Sequence, residues 1–408
     1  MSIKLGAMLL LLLIYAYKLF LSYIERKSFD NPIPENVSDI YDGETYLKWK
    51  EYSKEKLRLE LISGAVSFVV LEVLFATNAF ARFAFLFGSN LYAAAFGVTL
   101  LSVLTDTVIG MFSSYYDTMV IEEKYGFNRS TKKTFIADIV KQFVISLLLS
   151  VVLAFLLAFL HTKLGDGMLI LFAIILFVLV LCIGFLFPYL SHIFNKFTPL
   201  EDSELKEKLT ALLNKNGYTV RAINVMDGSR RSTKSNAYFT GFGKTKEIVL
   251  YDTMIAAMTP DEICGVFAHE MGHGIHKDTL KNQVFNFVNI ALIAVTAWLS
   301  VKLTSLYPAF GFDGINYGFA MILEGSIALE IVSPLLQLLI NWNSRRAEYR
   351  ADAQAVKEGY ADALISGLKK LAKENFSHLS PSKLLVKLHY SHPPMSERIA
   401  AIEDKKNQ

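Results

Sequence analysis

Seven long apolar segments constrain the fold of this 408-residue chain more than any other feature. Each has about the 20 residues that a helix needs to cross a hydrocarbon core of roughly 30 Å. Hydrophobic residues make up 53% of the chain, and a soluble domain rarely carries so many because its surface must stay polar. The sequence predicts an all-α multi-pass membrane protein with seven transmembrane helices near 5–23, 61–80, 92–114, 137–160, 168–190, 283–304 and 317–340.

Basic residues alternate between the loops that join these segments. Lysine and arginine are abundant after the first, third, fifth and seventh segments and sparse in the other loops. Because basic loops face the cytoplasm, we expect the N-terminus outside and the polar parts near 269 and 348 together on the cytoplasmic side. The first segment is too long for a signal peptide, so we expect it to be retained. The membrane would be the inner membrane of a bacterium or the endoplasmic reticulum of a eukaryote.

An H-E-x-x-H motif at His269–His273 lies between the fifth and sixth segments. On a helix the imidazoles of His269 and His273 lie one turn apart on one face, so both can reach one Zn²⁺. Glu270 is displaced toward the attacking water and can act as its general base. Thr259 and the proline after it are typical of a helix start. The motif therefore predicts a zinc metallopeptidase site on a helix.

A catalytic zinc site needs a third protein ligand. His276 is near the motif, but the metzincin pattern has its third histidine where this chain has Thr279, so we expect His276 to be a surface residue. Glu348 and Asp352 lie one helical turn apart after the seventh segment, which suits a metal ligand and a carboxylate that orients a histidine ring. The same spacing also suits a charged helix face, and spacing alone does not choose between the two.

Six blocks of sequence, in order, resemble the type 1 CAAX prenyl endopeptidases, which are integral-membrane zinc proteases of the gluzincin type. The blocks are Glu123–Thr131, Phe194–Leu200, Ser235–Phe242, His269–His273, Ser344–Asp352 and His389–Arg398. The resemblance covers nearly the whole chain. It implies that His269, His273 and Glu348 bind one zinc ion, that Glu270 is the catalytic base, and that Asp352 supports the ligands. It also implies a gluzincin-type metalloprotease domain containing a small β-sheet.

The resemblance further implies that His392 stabilises the tetrahedral intermediate and that Asn236 helps to hold the substrate backbone. His392 precedes two prolines that restrict the local backbone, although a histidine capping a tail helix would look the same. Residues 236–242 and 246–251 alternate as two strands do. An edge strand carrying Asn236 and Tyr238 could pair with an extended peptide, and a small structural hairpin is the compatible alternative.

These expectations divide the chain into four parts. They are an N-terminal membrane region (1–192), a first catalytic part with the zinc motif (193–281), spans six and seven (282–341), and a second catalytic part with the third ligand (342–408). The resemblance implies a peptide or protein substrate, with a prenylated C-terminal CAAX motif in eukaryotic relatives. A net charge of +3 gives no strong attraction to nucleic acid, so the lipid bilayer is the other expected partner.

Two other functions remain open from the sequence. One is a quality-control protease like the heat-shock-induced membrane metalloproteases, which share the zinc motifs but have fewer spans. The other is a transporter or lipid-binding protein with a structural zinc. Polar residues within the predicted spans suggest a hydrated interior, although hydrogen bonds between helices would explain them too. These residues are Glu72, Asp106, Asn282, Asn286, Asn289, Glu324, Glu330 and Gln337.

Overall fold

Helices dominate the computed structural model, which describes residues 2–218, 220–240 and 247–408. The first six helices are α1 (Ile3–Ser28), α2 (Gly43–Ala76), α3 (Ala79–Phe85), α4 (Leu91–Tyr116), α5 (Lys132–Leu164) and α6 (Met168–Ser191). The next five are α7 (Glu204–Lys215), α8 (Asp252–Ala257), α9 (Pro260–Ile275), α10 (Asp278–Lys302) and α11 (Leu306–Ala309). The last five are α12 (Tyr317–Leu323), α13 (Leu329–Lys357), α14 (Ala361–Glu374), α15 (Lys383–His389) and α16 (Met395–Lys406). The helical architecture predicted from the sequence is confirmed.

Six stretches of the described chain are long and apolar enough to cross a membrane. They are Ile3–Ser28, Gly43–Ala76, Leu91–Glu122, Lys132–Phe187, Leu280–Lys302 and Tyr317–Lys357. The fourth stretch contains α5 and most of α6. A 3₁₀ turn at Gly165–Gly167 separates these two helices, and Gly165 adopts a φ of +54° there. Such a backbone conformation costs glycine little and other residues much. The six stretches therefore overlap all seven predicted segments.

Large apolar side chains cover the outside of the long helices. Ile170, Ile174 and Val178 follow one another at four-residue intervals on α6, and each is half-exposed or more. Hydrogen bonds along a helix satisfy the backbone groups that hydrocarbon would leave unpaired. Both features are those of helices surrounded by lipid.

An aromatic cluster fills the buried core where α2 ends and α12 begins. Phe75 of α2 lies 4.9 Å from Phe310 and 5.7 Å from Phe319, measured between ring centroids, and all three rings are buried. Phe310 follows α11 and Phe319 belongs to α12. Aromatic pairs at such distances stabilise a core beyond the area they bury. The cluster joins an early helix to the region that follows α10.

A second core surrounds α9, which carries the H-E-x-x-H motif. Buried residues of α9 pack against α7, α13 and α14, and against the strands described next. Gly272 permits the closest approach, because a Cβ there would lie 2.8 Å from the Cα of Ala351 in α13. The two helices that carry the predicted zinc ligands are therefore in backbone contact.

A four-stranded mixed sheet lies beside α9. Its strands are β1 (Phe197–Pro199), β2 (Ala222–Met226), β3 (Ala237–Thr240) and β4 (Glu247–Tyr251), in the order β1-β2-β4-β3. β2 and β4 are parallel, whereas β3 pairs with β4 antiparallel, Ala237 opposite Leu250. The two predicted strands correspond to β3 and β4, and residues 241, 242 and 246 of that prediction lie outside the described residues. β3 is an edge strand.

Polar residues of the predicted spans include one that forms a hydrogen bond between helices and one that lies in an exposed ion pair beside cavities. Thr296 of α10 donates a hydrogen bond to buried Glu324, at 3.2 Å, which joins two helices. Glu330 instead forms an ion pair with Lys18 of α1, at 2.9 Å. Both side chains of this pair are more than a third exposed. Glu330 lines two open cavities, one of about 370 Å³ between α1, α13 and α15 and one of about 350 Å³ between α1, α2 and α13.

Candidate metal centre and active site

The helix α9 begins at a capping box. The Thr259 hydroxyl accepts the Glu262 N–H, the Glu262 carboxylate accepts the Thr259 N–H, and Pro260 occupies the first turn. From this fixed start the helix runs to Ile275, so His269 and His273 lie on one face. Their ring centroids are 4.9 Å apart and the rings are nearly perpendicular. The predicted helix start and motif geometry are both present.

Glu348 of α13 faces these two histidines. Its Oε2 lies 3.5 Å from Nε2 of His269, and its Oε1 lies 3.3 Å from Nε2 of His273. One ligand atom from each of the three side chains falls within 4.8 Å of the others. His276, by contrast, is the residue that follows α9 and is not part of this group among the described residues. The structure thus brings together the three residues expected to bind zinc.

The donor atoms of this group fit a divalent cation. Glu348 Oε2 is buried and accepts no hydrogen bond, although the guanidinium of Arg398 lies 3.3 Å away, so this oxygen keeps lone pairs that can bind a cation. Carboxylates occupy the Nδ1 side of both histidines and can accept a proton from each Nδ1, which leaves each Nε2, facing Glu348, as the nitrogen that can bind a metal ion. Two imidazole nitrogens and one carboxylate oxygen are a donor set that Zn²⁺ accepts.

Two carboxylates orient the histidine rings. Asp352, one turn after Glu348, accepts a hydrogen bond from His269 Nδ1 at 2.8 Å. Asp278 accepts one from His273 Nδ1 at 3.2 Å, and it is nearly fully buried. Asp278 is the first residue of α10, and Lys277 turns the chain there with a φ of +55°. The role of Asp352 was expected from the sequence, whereas that of Asp278 was missed, because its only signal is an acid five residues after the motif.

A buried arginine joins the carboxylates of this site. Arg398 of α16 donates to both oxygens of Asp352, at 3.0 Å from Nε and 2.7 Å from Nη2. Its Nη1 lies 3.3 Å from Glu348 Oε2. Burial disfavours the charged guanidinium, but Asp352 and Glu348 raise the pKa of Arg398 above its ordinary value. Arg398 is the last residue of the block His389–Arg398, but its position in the sequence does not indicate that it contacts Asp352 and Glu348.

The electrostatic field at the candidate metal site favours a positive charge. Burial disfavours the imidazolium of His273, but the carboxylates of Glu348, Glu270 and Asp278 raise the pKa of His273 to about 9. A site that favours a proton on its ligand in this way also favours a metal cation in the same place. This electrostatic preference agrees with the geometry of the donor atoms.

Glu270 lies between the metal ligands and the edge strand. It is partly exposed, and it lines a small cavity together with Tyr238 of β3 and Phe267 of α9. Burial raises the pKa of Tyr238 to about 12, so its hydroxyl keeps its proton. The expected base and one expected substrate-binding residue are therefore neighbours.

His392 and Asn236 are more exposed than the metal ligands. Nε2 of His392 lies 3.5 Å from Glu348 Oε1, and its side chain is 64% exposed. Asn236 immediately precedes β3, and its Oδ1 accepts the N–H of Ala237 at 2.9 Å. His392 thus borders the donor group, whereas Asn236 stands at the beginning of the edge strand.

Comparisons with known proteins agree with this arrangement. A model of peptidase family M48 matches residues 199–406, and a model of the CAAX prenyl protease N-terminal region with five membrane helices matches residues 22–196. The chain is 30% identical to CAAX prenyl protease 1 of Saccharomyces cerevisiae, covering 96% of this chain and 94% of the relative. It is 32% identical to a homologue from Oryza sativa, covering 97% and 96%.

The same fold occurs in a solved structure. The crystal structure of S. mikatae Ste24p aligns with a TM-score of 0.91 over 99% of each chain, at 28% identity. The fold and the donor group together define a multi-pass membrane metalloprotease. The chain belongs to peptidase family M48, whose members are in general zinc-dependent.

Proposed function

We propose that this protein hydrolyses peptide bonds with one zinc ion held by His269, His273 and Glu348. The observation that carries the proposal is the convergence of both histidine Nε2 atoms on the buried carboxylate of Glu348, whose Oε2 accepts no hydrogen bond. Three protein donors converge in the described chain. A catalytic zinc site has three protein ligands and an open position, whereas a structural site has four. The number of donors therefore favours catalysis over a structural zinc.

Zinc, when bound, polarises the scissile carbonyl and supports formation of the nucleophile. Glu270 takes the proton from the attacking water and then delivers it to the leaving amine. Asp352 and Asp278 hold the two imidazoles in the tautomer whose Nε2 lone pairs face the ligand group. Arg398 neutralises part of the carboxylate charge that this arrangement concentrates.

Substrate binding is assigned to the edge strand and to His392. An extended peptide would add to β3 as a further strand, so that backbone hydrogen bonds bring its scissile bond beside Glu270. Asn236 and Tyr238 would contact this peptide at the beginning and middle of β3. His392, exposed and beside Glu348, would donate to the developing oxyanion.

The membrane arrangement follows from counting α5 and α6 as separate spans. The chain then has seven spans, with the N-terminus outside and both catalytic parts on the cytoplasmic side. The four-part division at 192, 281 and 341 agrees with this count. Glu330 borders two open cavities between the helices, and Lys18 borders one of them, which supports entry of water between the helices. The compartment would be the inner membrane of a bacterium or the endoplasmic reticulum of a eukaryote.

The proposed substrate is a membrane-attached protein with a prenylated C-terminal CAAX motif, from which the last three residues are removed. The names of the relatives support this choice, since they are CAAX prenyl proteases that match nearly the whole chain. The test uses a farnesylated CAAX peptide and its unprenylated twin, with the products identified by mass spectrometry. Release of the tripeptide from the prenylated peptide alone is expected. Equal cleavage of both would leave a general membrane protease.

Glu270→Gln provides the control for the chemistry. This variant keeps the size of the side chain and the three proposed ligands, but it cannot accept a proton from water. We expect it to retain one zinc per chain and to lose hydrolysis by at least about a hundredfold. Full turnover in this variant would contradict the role assigned to Glu270.

A further inference from the structure

The sequence block Glu123–Thr131 has no role in the metal site, yet it contacts the catalytic region. Its backbone runs beside the segment that leads to β3. The N–H of Arg129 donates to the carbonyl of Arg231 at 2.9 Å, and the N–H of Thr233 donates to the carbonyl of Phe127 at 3.0 Å. A loop between two membrane helices therefore pairs with the catalytic domain as a short ladder.

Lys234 extends this contact with its side chain. Its Nζ donates to Glu122 Oε1 at 3.1 Å and to the hydroxyl of Tyr52 at 2.9 Å. It also lies 4.7 Å from the ring centroid of Phe127 and 5.2 Å from that of Tyr52. One cation thus meets a carboxylate and two aromatic rings, all from the N-terminal membrane region. Cation–π contacts of this kind strengthen when they are partly desolvated.

Glu122 lies at the end of a short π-helix, which places its carboxylate near the side chains of Lys56 and Lys234. The stretch Asp117–Glu122 is π-helical, and its wider turn brings residues five apart onto the same face. Lys56 of α2 consequently contacts both Asp117 and Glu122. The Glu122 side chain is only 12% exposed, and Lys56, Lys234 and Tyr52 all donate to it. Lys56 holds this carboxylate from the membrane side, whereas Lys234 approaches from the catalytic side.

Hydrogen bonds hold the short segment between Lys234 and the edge strand β3 in place. Ser235 exchanges two hydrogen bonds of 3.1 Å with the side chain of Asn375. The carbonyl of Asn236 accepts the N–H of Tyr251 at 3.1 Å, and β3 begins at the next residue. Two residues, Ser235 and Asn236, therefore separate Lys234 from β3, and each is fixed by hydrogen bonds.

We propose that Lys234 is a positioning residue, which through Glu122 fixes the edge strand β3 relative to Glu270. The proposal rests on the proposed function in taking β3 as the strand that receives the peptide. The N-terminal membrane region, through its loop 123–131, thereby sets the register of the substrate as well as anchoring the enzyme. Displacement of a reacting group by about 1 Å can cost on the order of a hundredfold in rate, so an anchor at this point has a direct kinetic effect.

The test compares Lys234→Met, Lys234→Arg and Lys56→Met in the full-length protein in lipid nanodiscs. Lys234→Met removes the cation from Glu122 on the catalytic side, and Lys234→Arg keeps it. Lys56→Met is the matched control, since it removes a cation from the same carboxylate without touching residues 231–236. For each variant, kcat and KM on the CAAX peptide, zinc content, Tm and amide hydrogen exchange across 237–240 are measured.

We expect Lys234→Met to lower kcat/KM about tenfold, mostly through KM, with zinc content unchanged. Exchange across 237–240 should quicken in this variant, and Lys234→Arg should restore both properties. Equal changes in Lys56→Met, or unchanged exchange in Lys234→Met, would overturn the proposal. If the wild-type protein cleaves no peptide, the proposed function fails, and the exchange comparison still decides whether Lys234 fixes the strand.

Discussion

Gly272 of α9 and Ala351 of α13 meet backbone to backbone, since a β-carbon at position 272 would lie 2.8 Å from the Cα of Ala351. Two helices rarely approach so closely unless one of them carries a glycine at the crossing. The approach brings Glu348 within 3.5 Å of both histidines. A single missing side chain therefore sets the size of the candidate metal site.

We expect Gly272→Ala to separate these helices and to move Glu348 away from the histidines. Overpacking of this kind costs about 1–3 kcal/mol of stability, and the zinc content of the purified protein should fall well below one per chain. Metal analysis and thermal unfolding measure the two effects. Gly110→Ala in α4 is the matched control, because the space around that glycine is open. A fully loaded, fully stable Gly272→Ala protein would contradict this account.

Asp278→Asn should weaken zinc binding without removing a ligand. Asparagine keeps the size of the side chain but presents a weaker acceptor to His273 Nδ1, and loss of such a partner typically costs 10–100-fold in metal affinity. Competition with a chelator of known affinity measures the change. Asp352→Asn should behave similarly at His269. Asp362→Asn, which alters an exposed ion pair with Lys406, should leave the affinity as it is.

Arg398→Met should destabilise the protein strongly. Asp352 and Glu348 are almost fully buried and would lose their common cation, and breaking a buried ion pair from one side costs about 3–5 kcal/mol. Comparison of the Tm of Arg398→Met with that of the wild type, both unfolded in one detergent, checks this prediction. Lys406→Met on the same helix removes an exposed partner of Asp362 and should change Tm little. Similar Tm values for the two variants would exclude a structural role for Arg398.

His378 should make stability depend on pH. Its Nδ1 accepts the N–H of Ser380 and its Nε2 faces the hydroxyl of Ser28, which suits a neutral ring. Burial lowers the pKa of His378 from its ordinary 6.5 to about 4. The unfolded chain therefore binds the extra proton first as the pH falls. Stability from this residue is complete above pH 6.5 and declines between about pH 6.5 and 4, by up to about 3 kcal/mol.

Comparison with His378→Gln isolates this contribution. Other groups titrate in the same range in both proteins, so the difference in Tm between wild type and variant is the quantity to follow. The wild type should lose its advantage progressively between pH 6.5 and 4. A Tm difference that stays constant across this range would show that His378 does not titrate as described.

Local patterns in the sequence predict the parts of the site that lie on one helix. The H-E-x-x-H spacing and the capping residue Thr259 define α9 and its histidines. Glu348 and Asp352 share a helix turn, but their spacing also suits a charged surface, and only the resemblance to a family favoured the metal site. The partners that come from distant elements were missed. Asp278 depends on the tight turn at Lys277, and the contacts of Arg398 depend on how α16 packs.

Prediction of the membrane region from the sequence has the same limit, since it gives the helices but not their distant contacts. Hydrophobic length predicts where the long helices lie, because the bilayer imposes that length on any spanning helix. It does not predict that loop 123–131 pairs with residues 231–233, since that contact joins parts of the chain about a hundred residues apart. It also gives no account of the pairing of Lys18 with Glu330 across the bundle.

The helix α13 runs unbroken from Leu329 to Lys357, through Pro334, and carries Glu348 about 20 Å beyond that proline. The proposed third ligand thus stands on the extension of a membrane span rather than on a separate loop. A change in the depth at which that span settles in the lipid moves Glu348 along with it. The hydrophobic thickness of the surrounding bilayer is therefore one of the quantities that set how far the candidate metal centre stands from the membrane.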